Sequence, residues 1–455
     1  MESRPGSSQV AGSSIRLEVA LPSGRRESLW VLQSGTVADL KTAAQQSLGQ
    51  RFLKLAAPDG RLLDLTEALQ LSGLQGGDTV FAVAQQPKIA ATRGAFALWC
   101  VGGDRIVTWG HTAFGGDSSR VRDQLRNVQQ ICCTGFAFAV ILEDETVVTW
   151  GRPDFGGDSS GVQDQLRNVD QIFATAFAFA ATLVDGTVVT WGDQDYGGDS
   201  YEVQDQLKNV QQICGRGFAF AVILKDRSVM TWGRRYYGGD SSGVQDQLRN
   251  VLQICGTFGA FAAILADGTV VAWGHPDYGG DSSRVQDQLR NVQQISGAHA
   301  AFASVLADGT VVTWGTADRG GDSSRVKDQL RNVQQMCATD SAFAAILADE
   351  TVVTWGDQDC GSDSSSVRDQ LRNVQQICGT ERAFAAILAD GSVVTWGNPH
   401  FGGDSSGVQD QLRNVQQICS TDSAFTAILA NGNVVTWGDP QRGGISEVQD
   451  QFSYV

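Results

Sequence analysis

The stretch Val374–Asn414, VQQICGTERAFAAILADGSVVTWGNPHFGGDSSGVQDQLRN, decides the fold because most of the chain repeats it. Its Trp-Gly pair recurs with a period of 41 residues. The tryptophans of these pairs are Trp109, Trp150, Trp191, Trp232, Trp273, Trp314, Trp355, Trp396 and Trp437. A fixed period of this length indicates an array of similar supersecondary units.

The sequence of one 41-residue copy predicts a short β-sheet. Ala383–Leu388 and Ser392–Trp396 flank the turn Ala389–Gly391 and predict a hairpin. Both strands are apolar at odd and even positions, which predicts that both faces are buried, as in a propeller. Val374–Cys378 predicts a third strand. For the fourth segment, Val408–Leu412, we favour a strand or an irregular edge over one or two helical turns.

The chain is acidic, and its charge is unevenly distributed. Its 455 residues hold 34 Lys and Arg against 50 Asp and Glu, a net charge of −16. The first 86 residues contain eight of each sign, so the excess lies on the repeats. An acidic array repels phosphate backbones, and we therefore expect neither nucleic acid nor an anionic membrane as partner.

The nine cysteines predict reduced thiols. Six of them occupy one column of the repeat: Cys132, Cys214, Cys255, Cys337, Cys378 and Cys419. Equivalent positions in stacked repeats are not close pairs, and the closely spaced ligands of a zinc site are missing. The chain shows neither a secretory signal nor 18 uninterrupted apolar residues. We expect a soluble cytoplasmic or nuclear protein.

The N-terminal region predicts a flexible tail and a small separate domain. Residues 1–14 are small and polar. A hairpin, a helix and further strands follow. The helix has Thr36 as N-cap, Asp39 as its capping partner and Gly49 as its stop. The predicted organisation is a tail over 1–14, a β-grasp domain over 15–86 and a repeat array over 87–455.

Residues 15–84 resemble the ubiquitin-like family. The strand and helix order and the stretch Leu71–Val80, which leads into the last strand, carry the resemblance. Ubiquitin is conjugated through a free C-terminal Gly-Gly. Here Gly76-Gly77 precedes the last strand, which runs into Gln85-Gln86-Pro87. The resemblance therefore implies an integral docking module for a component of the ubiquitin pathway.

The repeats resemble those of the regulator of chromosome condensation (RCC) family. Val-x-x-Ile, an apolar strand, a Gly turn and Val-x-x-Trp-Gly before a Gly-rich turn carry the likeness. Two features depart from that family: the repeats are shorter, and its recurrent His after the first strand is missing. That family usually has seven blades. Nine copies thus imply an all-β, propeller-like array of about nine blades, as a larger ring, an open spiral or a solenoid, after an α+β β-grasp domain.

The variable loops of the repeats predict a partner surface. Antiparallel strands place connections 1–2 and 3–4 on one face and 2–3 on the other. The 2–3 turn is nearly constant, whereas the other two connections vary from copy to copy and hold scarce cations and aromatics. The partner-binding candidates are Arg216, Arg234, Tyr236, His299, Arg382 and His400. The alternative is neutral drift in unconstrained loops.

The sequence offers no constellation for catalysis, a cofactor or a metal. Four scattered His and turn-bound Ser predict no nucleophile and base. The repeated Gly-Gly-Asp-Ser-Ser places one carboxylate in each repeat, which favours a turn cap over a calcium site. We therefore expect neither enzyme activity nor a cofactor.

Three functions fit these features. The first is a non-catalytic scaffold or adaptor, with a protein on the variable face and a ubiquitin-pathway component on residues 15–86. The resemblances also imply two alternatives. One is guanine-nucleotide exchange on a small GTPase, and the other is the regulatory part of a HERC-like ubiquitin ligase that lacks its catalytic domain.

Overall fold

The computed structural model describes residues 13–101, 103 and 105–445. The described residues divide into two compact units. One comprises residues 13–87 with Asn431–Asn433, and the other comprises residues 88–430 and 434–445. The predicted tail lies outside the described residues except for Ser13 and Ser14, and Ser14 already begins a strand.

The first unit is a β-grasp of ubiquitin-like topology. Its elements are β1 Ser14–Ala20, β2 Arg26–Leu32, α1 Val37–Leu48, β3 Leu53–Ala56 and β4 Thr79–Ala84. The sheet order is β2-β1-β4-β3, with β1 parallel to β4 and the other pairs antiparallel. Leu62 forms one isolated antiparallel bridge with Ala56.

The helix α1 begins and ends as its sequence predicts. The Thr36 hydroxyl accepts a hydrogen bond from the Asp39 backbone N–H, and the Asp39 carboxylate accepts one from the Thr36 N–H, which confirms the capping box. Gly49 ends the helix at φ 65°, where a side chain would be strained. Val37, Leu40 and other apolar residues of its inner face are buried against the sheet.

The second unit consists of nine antiparallel sheets of three strands, here named a, b and c in chain order within each repeat. Strands a are Pro87–Ala91, Val128–Cys133, Val169–Ala174, Val210–Arg216, Val251–Gly256, Val292–Gly297, Val333–Ala338, Val374–Gly379 and Val415–Ser420. Strands b are Ala95–Cys100, Ala137–Leu142, Ala178–Leu183, Ala219–Leu224, Ala260–Leu265, Ala301–Leu306, Ala342–Leu347, Ala383–Leu388 and Ala424–Leu429. Strands c are Ile106–Gly110, Val147–Gly151, Val188–Gly192, Val229–Gly233, Val270–Gly274, Val311–Gly315, Val352–Gly356, Val393–Gly397 and Val434–Gly438.

A 3₁₀ turn follows every strand c. These turns are Thr112–Phe114, Pro153–Phe155, Gln194–Tyr196, Arg235–Tyr237, Pro276–Tyr278, Ala317–Arg319, Gln358–Cys360, Pro399–Phe401 and Pro440–Arg442. Further 3₁₀ segments are Ser119–Gln124, Gln204–Gln206, Ser283–Val285 and Gln409–Gln411.

Each sheet is buried on both faces, as the uninterrupted apolar strands predict. In strand b of the second repeat, Ala137 to Val140 are fully buried. The Phe138 ring stacks on the Trp150 ring at 5.0 Å. Burial of both faces is possible because each sheet packs between two neighbouring repeats. One such interface joins Ala95 and Trp99 of repeat 1 to Phe138 of repeat 2.

A tryptophan and a glycine join each repeat to the one before it. The Trp150 indole Nε1 donates a hydrogen bond to the carbonyl oxygen of Gly115, in the turn that follows the preceding strand c. Gly115 has φ 90°, and a Cβ there would lie 2.7 Å from the Phe138 ring. The position of Gly115 accepts only glycine for both reasons. Because the Trp of each Trp-Gly pair makes this contact, the interface between repeats has the same period as the pair.

The fourth segment of the repeat is not a strand. In Val374–Asn414 it forms the 3₁₀ turn Gln409–Gln411, so the strand or irregular edge we favoured is wrong there and the segment makes one short helical turn. The Gln409 Nε2 donates to the carbonyl oxygen of Val393 at 2.9 Å, and its Oε1 accepts from the Ser405 hydroxyl. Side chains therefore pair with the first residue of strand c, where a fourth strand would have paired through its backbone.

The array returns on itself, although no single sheet closes. One residue of every a–b loop lies in an inner ring, and eight backbone hydrogen bonds join successive members, including Asp422 N–H to Arg93 O at 3.0 Å. The inner ring consists of Arg93, Gly135, Ala176, Gly217, Phe258, His299, Asp340, Glu381 and Asp422. The Trp109 indole of repeat 1 also donates to Gly443 after repeat 9, as between other neighbours.

Candidate functional site on the variable face

The two variable segments of each repeat lie at the same end of the propeller. The Thr134 hydroxyl, in an a–b loop, donates to the carbonyl oxygen of Phe155 in the 3₁₀ turn of the same repeat at 3.1 Å. Equivalent threonine bonds occur in other repeats, among them Thr380 to Phe401 at 2.9 Å. We call the surface formed by the a–b loops and the 3₁₀ turns after strand c the variable face.

A central cavity opens inside the inner ring. Its volume is about 360 Å³, and the a–b loops with the adjoining ends of strands a line it. The inner ring is chemically divided. Repeats 2 to 5 contribute Gly135, Ala176, Gly217 and Phe258, and the next four repeats contribute His299, Asp340, Glu381 and Asp422. One half of the opening is therefore apolar, and most of the other half is acidic.

An arc of aromatic rings borders the apolar half. Phe136, Phe177 and Phe218 occupy equivalent positions in consecutive repeats, with centroids 5.6 and 5.7 Å apart. Phe218 continues to Phe258 at 4.5 Å, which stacks on His299 at 4.5 Å. A second row, from the 3₁₀ turns, packs against the first: Phe114, Phe155, Tyr196, Tyr237 and Tyr278. These rings are partly exposed, and we call them the aromatic arc.

Arginines lie on the rings of the aromatic arc. The Arg152 guanidinium is 4.4 Å from the Phe155 centroid, and the Arg234 guanidinium is 5.3 Å from that of Tyr237. Arg234 also donates to the Tyr196 hydroxyl at 2.8 Å. Such cation–π contacts hold long side chains in place and leave the arc with a mixed cationic and aromatic surface.

The acidic half contains carboxyl groups that interact with one another. Burial, together with the charge of neighbouring Glu381, raises the pKa of Asp422 to about 8 against the opposing effects of Arg93 and Arg442. Burial and the charge of Asp340 also raise the pKa of Glu381. Because Glu381 and Asp422 are joined by a side-chain hydrogen bond, they hold one shared proton near neutral pH.

The six predicted partner residues all lie on the variable face, where the structure gathers them as three pairs. Arg234 and Tyr236 belong to one turn, and the Tyr236 ring contacts the His275 ring at 4.5 Å. Arg216 and His299 line the central cavity. Burial lowers the pKa of His299, although Asp340 opposes the shift.

The third pair lies in repeat 8. The Arg382 guanidinium is 5.2 Å from the Phe401 centroid, in the turn that also contains His400.

Sequence reasoning missed the inner ring and the first row of the aromatic arc. Both are columns of the repeat: the inner ring lies two residues before strand b, and the first aromatic row lies immediately before strand b. A position-by-position comparison of the copies would have shown both columns. Arg93 is harder to find because the first copy has one extra residue between Phe96 and Trp109, which displaces it from the period of 41.

The cysteine column and the repeated aspartates are structural. Burial raises the pKa of Cys132 and raises that of Cys214 to about 12, so these thiols stay protonated. The Asp158 carboxylate accepts a hydrogen bond from the Ser160 N–H at 2.9 Å, which confirms the turn cap and lowers the pKa of the carboxyl. Among the residues the structure describes, no group of three His, Cys, Asp or Glu is placed to hold a metal ion.

No protein-family model and no curated protein matches the sequence. Solved structures do match. Yeast RCC1 (Prp20) bound to Kap60 is 13% identical over 75% of this chain and 88% of that chain, with a TM-score of 0.42. Prp20p from Saccharomyces cerevisiae is 14% identical over 70% of this chain and 83% of that chain, with a TM-score of 0.39. Ubiquitin of Caldiarchaeum subterraneum is 20% identical over 16% of this chain and 96% of that chain, with a TM-score of 0.16.

The described residues form a β-grasp unit and a propeller of nine three-stranded repeats. These nine three-stranded sheets are those of a repeat protein. In the part of the chain that the structure describes, no helix is both long and apolar enough to cross a membrane.

Proposed function

We propose that the chain is a non-catalytic scaffold whose variable face captures a protein partner. The observation that carries this proposal is the aromatic arc, in which partly exposed rings and arginines line one side of the central opening. Aromatic and arginine side chains on a rigid frame are the residue types that dominate protein interfaces. The net charge of −16 favours proteins over nucleic acids and anionic membranes as partners.

The β-grasp unit provides a second docking surface in this proposal. Trp30 and Leu32 on β2 are 70% and 56% exposed, and Phe81 and Val83 on β4 are each 46% exposed. All four point away from α1, because their strand neighbours Val31, Val80 and Ala82 fill the core. An exposed apolar sheet face of this kind supports docking to a ubiquitin-pathway component, in the cytoplasm or the nucleus.

Quantitative capture from a cell lysate tests the variable face. The bait is the tagged full chain, compared with a variant that carries Arg216→Gln, Tyr236→Ala and Arg382→Gln. A control carries Val184→Ala and Lys225→Gln, which lie in exposed b–c turns at the opposite ends of the strands. We expect a defined set of proteins to be lost from the variant and kept by the control. Equal capture by all three baits contradicts the proposal.

The same design tests the docking unit. A full-length variant with Phe81→Ala and Val83→Ala is compared with Leu71→Ala, which removes an apolar side chain that is 76% exposed outside the sheet. We expect ubiquitin receptors or proteasome components to be lost only from the sheet variant. Release of labelled GDP from a panel of small GTPases discriminates the exchange alternative: a scaffold leaves the rates unchanged.

A further inference from the structure

The step between repeats 9 and 1 differs from every other step of the ring. Each of the other eight pairs of neighbours is joined by the chain itself, through the segment that follows strand c. Within residues 13–101, 103 and 105–445, no sheet contains strands from both repeat 1 and repeat 9. Among the described residues no two neighbouring repeats share a sheet, and repeats 9 and 1 also lack a peptide connection, so we call this step the seam.

The Asp422 carboxyl group contacts two arginine side chains across the seam. The Asp422 carboxylate is 3.6 Å from Nη1 of Arg442 and 3.9 Å from Nε of Arg93. The Arg442 Nη1 also donates to the carbonyl oxygen of Arg93 at 3.3 Å. The Asp422 side chain is only 20% exposed, so solvent screens this cluster less than an ion pair on the open surface.

The other steps have no equivalent of this cluster in the described part of the chain. At the inner-ring position, repeats 2 to 5 carry Gly, Ala, Gly and Phe, and the other contacts between titratable inner-ring neighbours are His299 with Asp340 at 3.9 Å and Glu381 with Asp422. In the described chain, an acidic residue in contact with two arginines therefore occurs between neighbouring repeats only where the covalent connection is missing.

Arg93 also reaches across the central opening. Its guanidinium is 5.3 Å from the ring centroid of Phe258 in repeat 5 and 5.8 Å from that of Phe136 in repeat 2. The same side chain thus contacts the seam on one side and the aromatic arc on the other.

We propose that the propeller opens at the seam, and that Arg93, Asp422 and Arg442 form the clasp that holds it closed. Opening there requires no strand to leave its sheet, and such local openings use the least stable contacts of a fold. When the clasp separates, Arg93 leaves Phe258 at the central opening. A ligand that takes the place of the Arg93 guanidinium at the central opening therefore favours opening of the seam. In return, opening of the seam favours binding of that ligand.

Hydrogen exchange of the full chain, followed by mass spectrometry, tests the clasp. The informative peptides cover 92–110 in repeat 1 and 421–438 in repeat 9, with 257–274 in repeat 5 as the internal reference. We expect the two seam repeats of the wild type to exchange faster than repeat 5. Asp422→Ala should accelerate their exchange further by about tenfold, because the carboxyl group that both arginines contact is lost. Alanine is compatible with the inner ring, since repeat 3 has Ala176 there.

The control is Asp340→Ala, at the same position of repeat 7 and away from the seam. It should leave exchange in repeats 1 and 9 unchanged. If Asp422→Ala does not fold, the wild type is compared at low salt and at about 1 M NaCl, where the Debye length falls to about 3 Å. High salt should then accelerate hydrogen exchange in repeats 1 and 9 and leave exchange in repeat 5 unchanged. Uniform exchange in all nine repeats, or an Asp422→Ala effect spread evenly over them, overturns the proposal.

Discussion

The Trp109 indole Nε1 donates a hydrogen bond to the carbonyl oxygen of Gly443 at 3.3 Å, across 334 positions of sequence. The corresponding bonds between consecutive repeats measure 2.9 to 3.1 Å. The contact that closes the array is therefore the same contact that builds it, and it is slightly longer where no chain connection supports it.

Removing one of these indole donors should destabilise the propeller. Trp273→Phe keeps an aromatic ring beside Phe261 but leaves the Gly238 carbonyl oxygen without its donor at 3.1 Å. A buried acceptor without a partner costs about 1–3 kcal/mol, which should lower the urea midpoint. Trp30→Phe is the control, because Trp30 is 70% exposed on the other unit. Equal midpoints for both variants would contradict the structural role of the bond.

A single added methyl group should disrupt one interface between repeats. Gly156 has φ 92°, and a Cβ there would lie 2.5 Å from the Phe179 ring of the next repeat. Gly156→Ala combines a left-handed backbone with overpacking and should cost about 2–4 kcal/mol. Gly161→Ala is the matched control, because nothing lies within 4 Å of its Cβ position. Thermal unfolding of both variants measures the difference, and a stable Gly156→Ala would refute the predicted clash.

The buried thiols should resist alkylation. Burial raises the pKa of Cys133 to about 11 and that of Cys214 to about 12. At pH 8 only a small fraction of these thiols is ionised, and the thiolate is the reactive form. We expect slow labelling of both by iodoacetamide in the native chain and rapid labelling in guanidinium chloride. Native labelling at the rate of a free cysteine would show that these two thiols are accessible and contradict the prediction.

The stability of the propeller should depend on the proton of Asp422. Because burial and Glu381 raise its pKa from 3.8 to about 8, the folded state holds this proton more tightly than the unfolded state. The stabilisation is complete below about pH 4 and is lost as the pH rises through about 8. Asp422→Asn keeps the shape and cannot ionise, so its melting temperature should fall less than that of the wild type between pH 5 and 9. Parallel curves would contradict the assignment.

Much of the fold can be predicted from the sequence because the same residues define both the strands within a repeat and the packing between repeats. The Thr36 and Asp39 pair predicts a helix start, and the nine Trp-Gly pairs predict nine repeats. The strand we favoured at Val408–Leu412 fails for a physical reason. Gln409 pairs with the Val393 carbonyl through its side chain, and period and composition do not distinguish that bond from a strand's backbone pairing.

The candidate site is less accessible to sequence reasoning. The variation of the loops predicts that Arg216 and His299 lie on one face, and both lie on the variable face in the structure. The variation does not indicate that the two residues line a cavity. The contacts of Arg93 with Asp422 and Phe258 join residues far apart in the sequence. They depend on the return of the array to its first repeat, and the period alone leaves a ring, a spiral and a solenoid open.

Site-specific photo-crosslinking tests the partner surface most directly. A photoreactive phenylalanine replaces Tyr236 on the variable face, where that side chain is 63% exposed. In a second full-length variant it replaces Asp267 in a b–c turn, at the opposite ends of the strands. We predict discrete crosslinked partners from position 236 and none of these from position 267. The same adducts from both positions, or from position 267 alone, would contradict partner capture by the variable face.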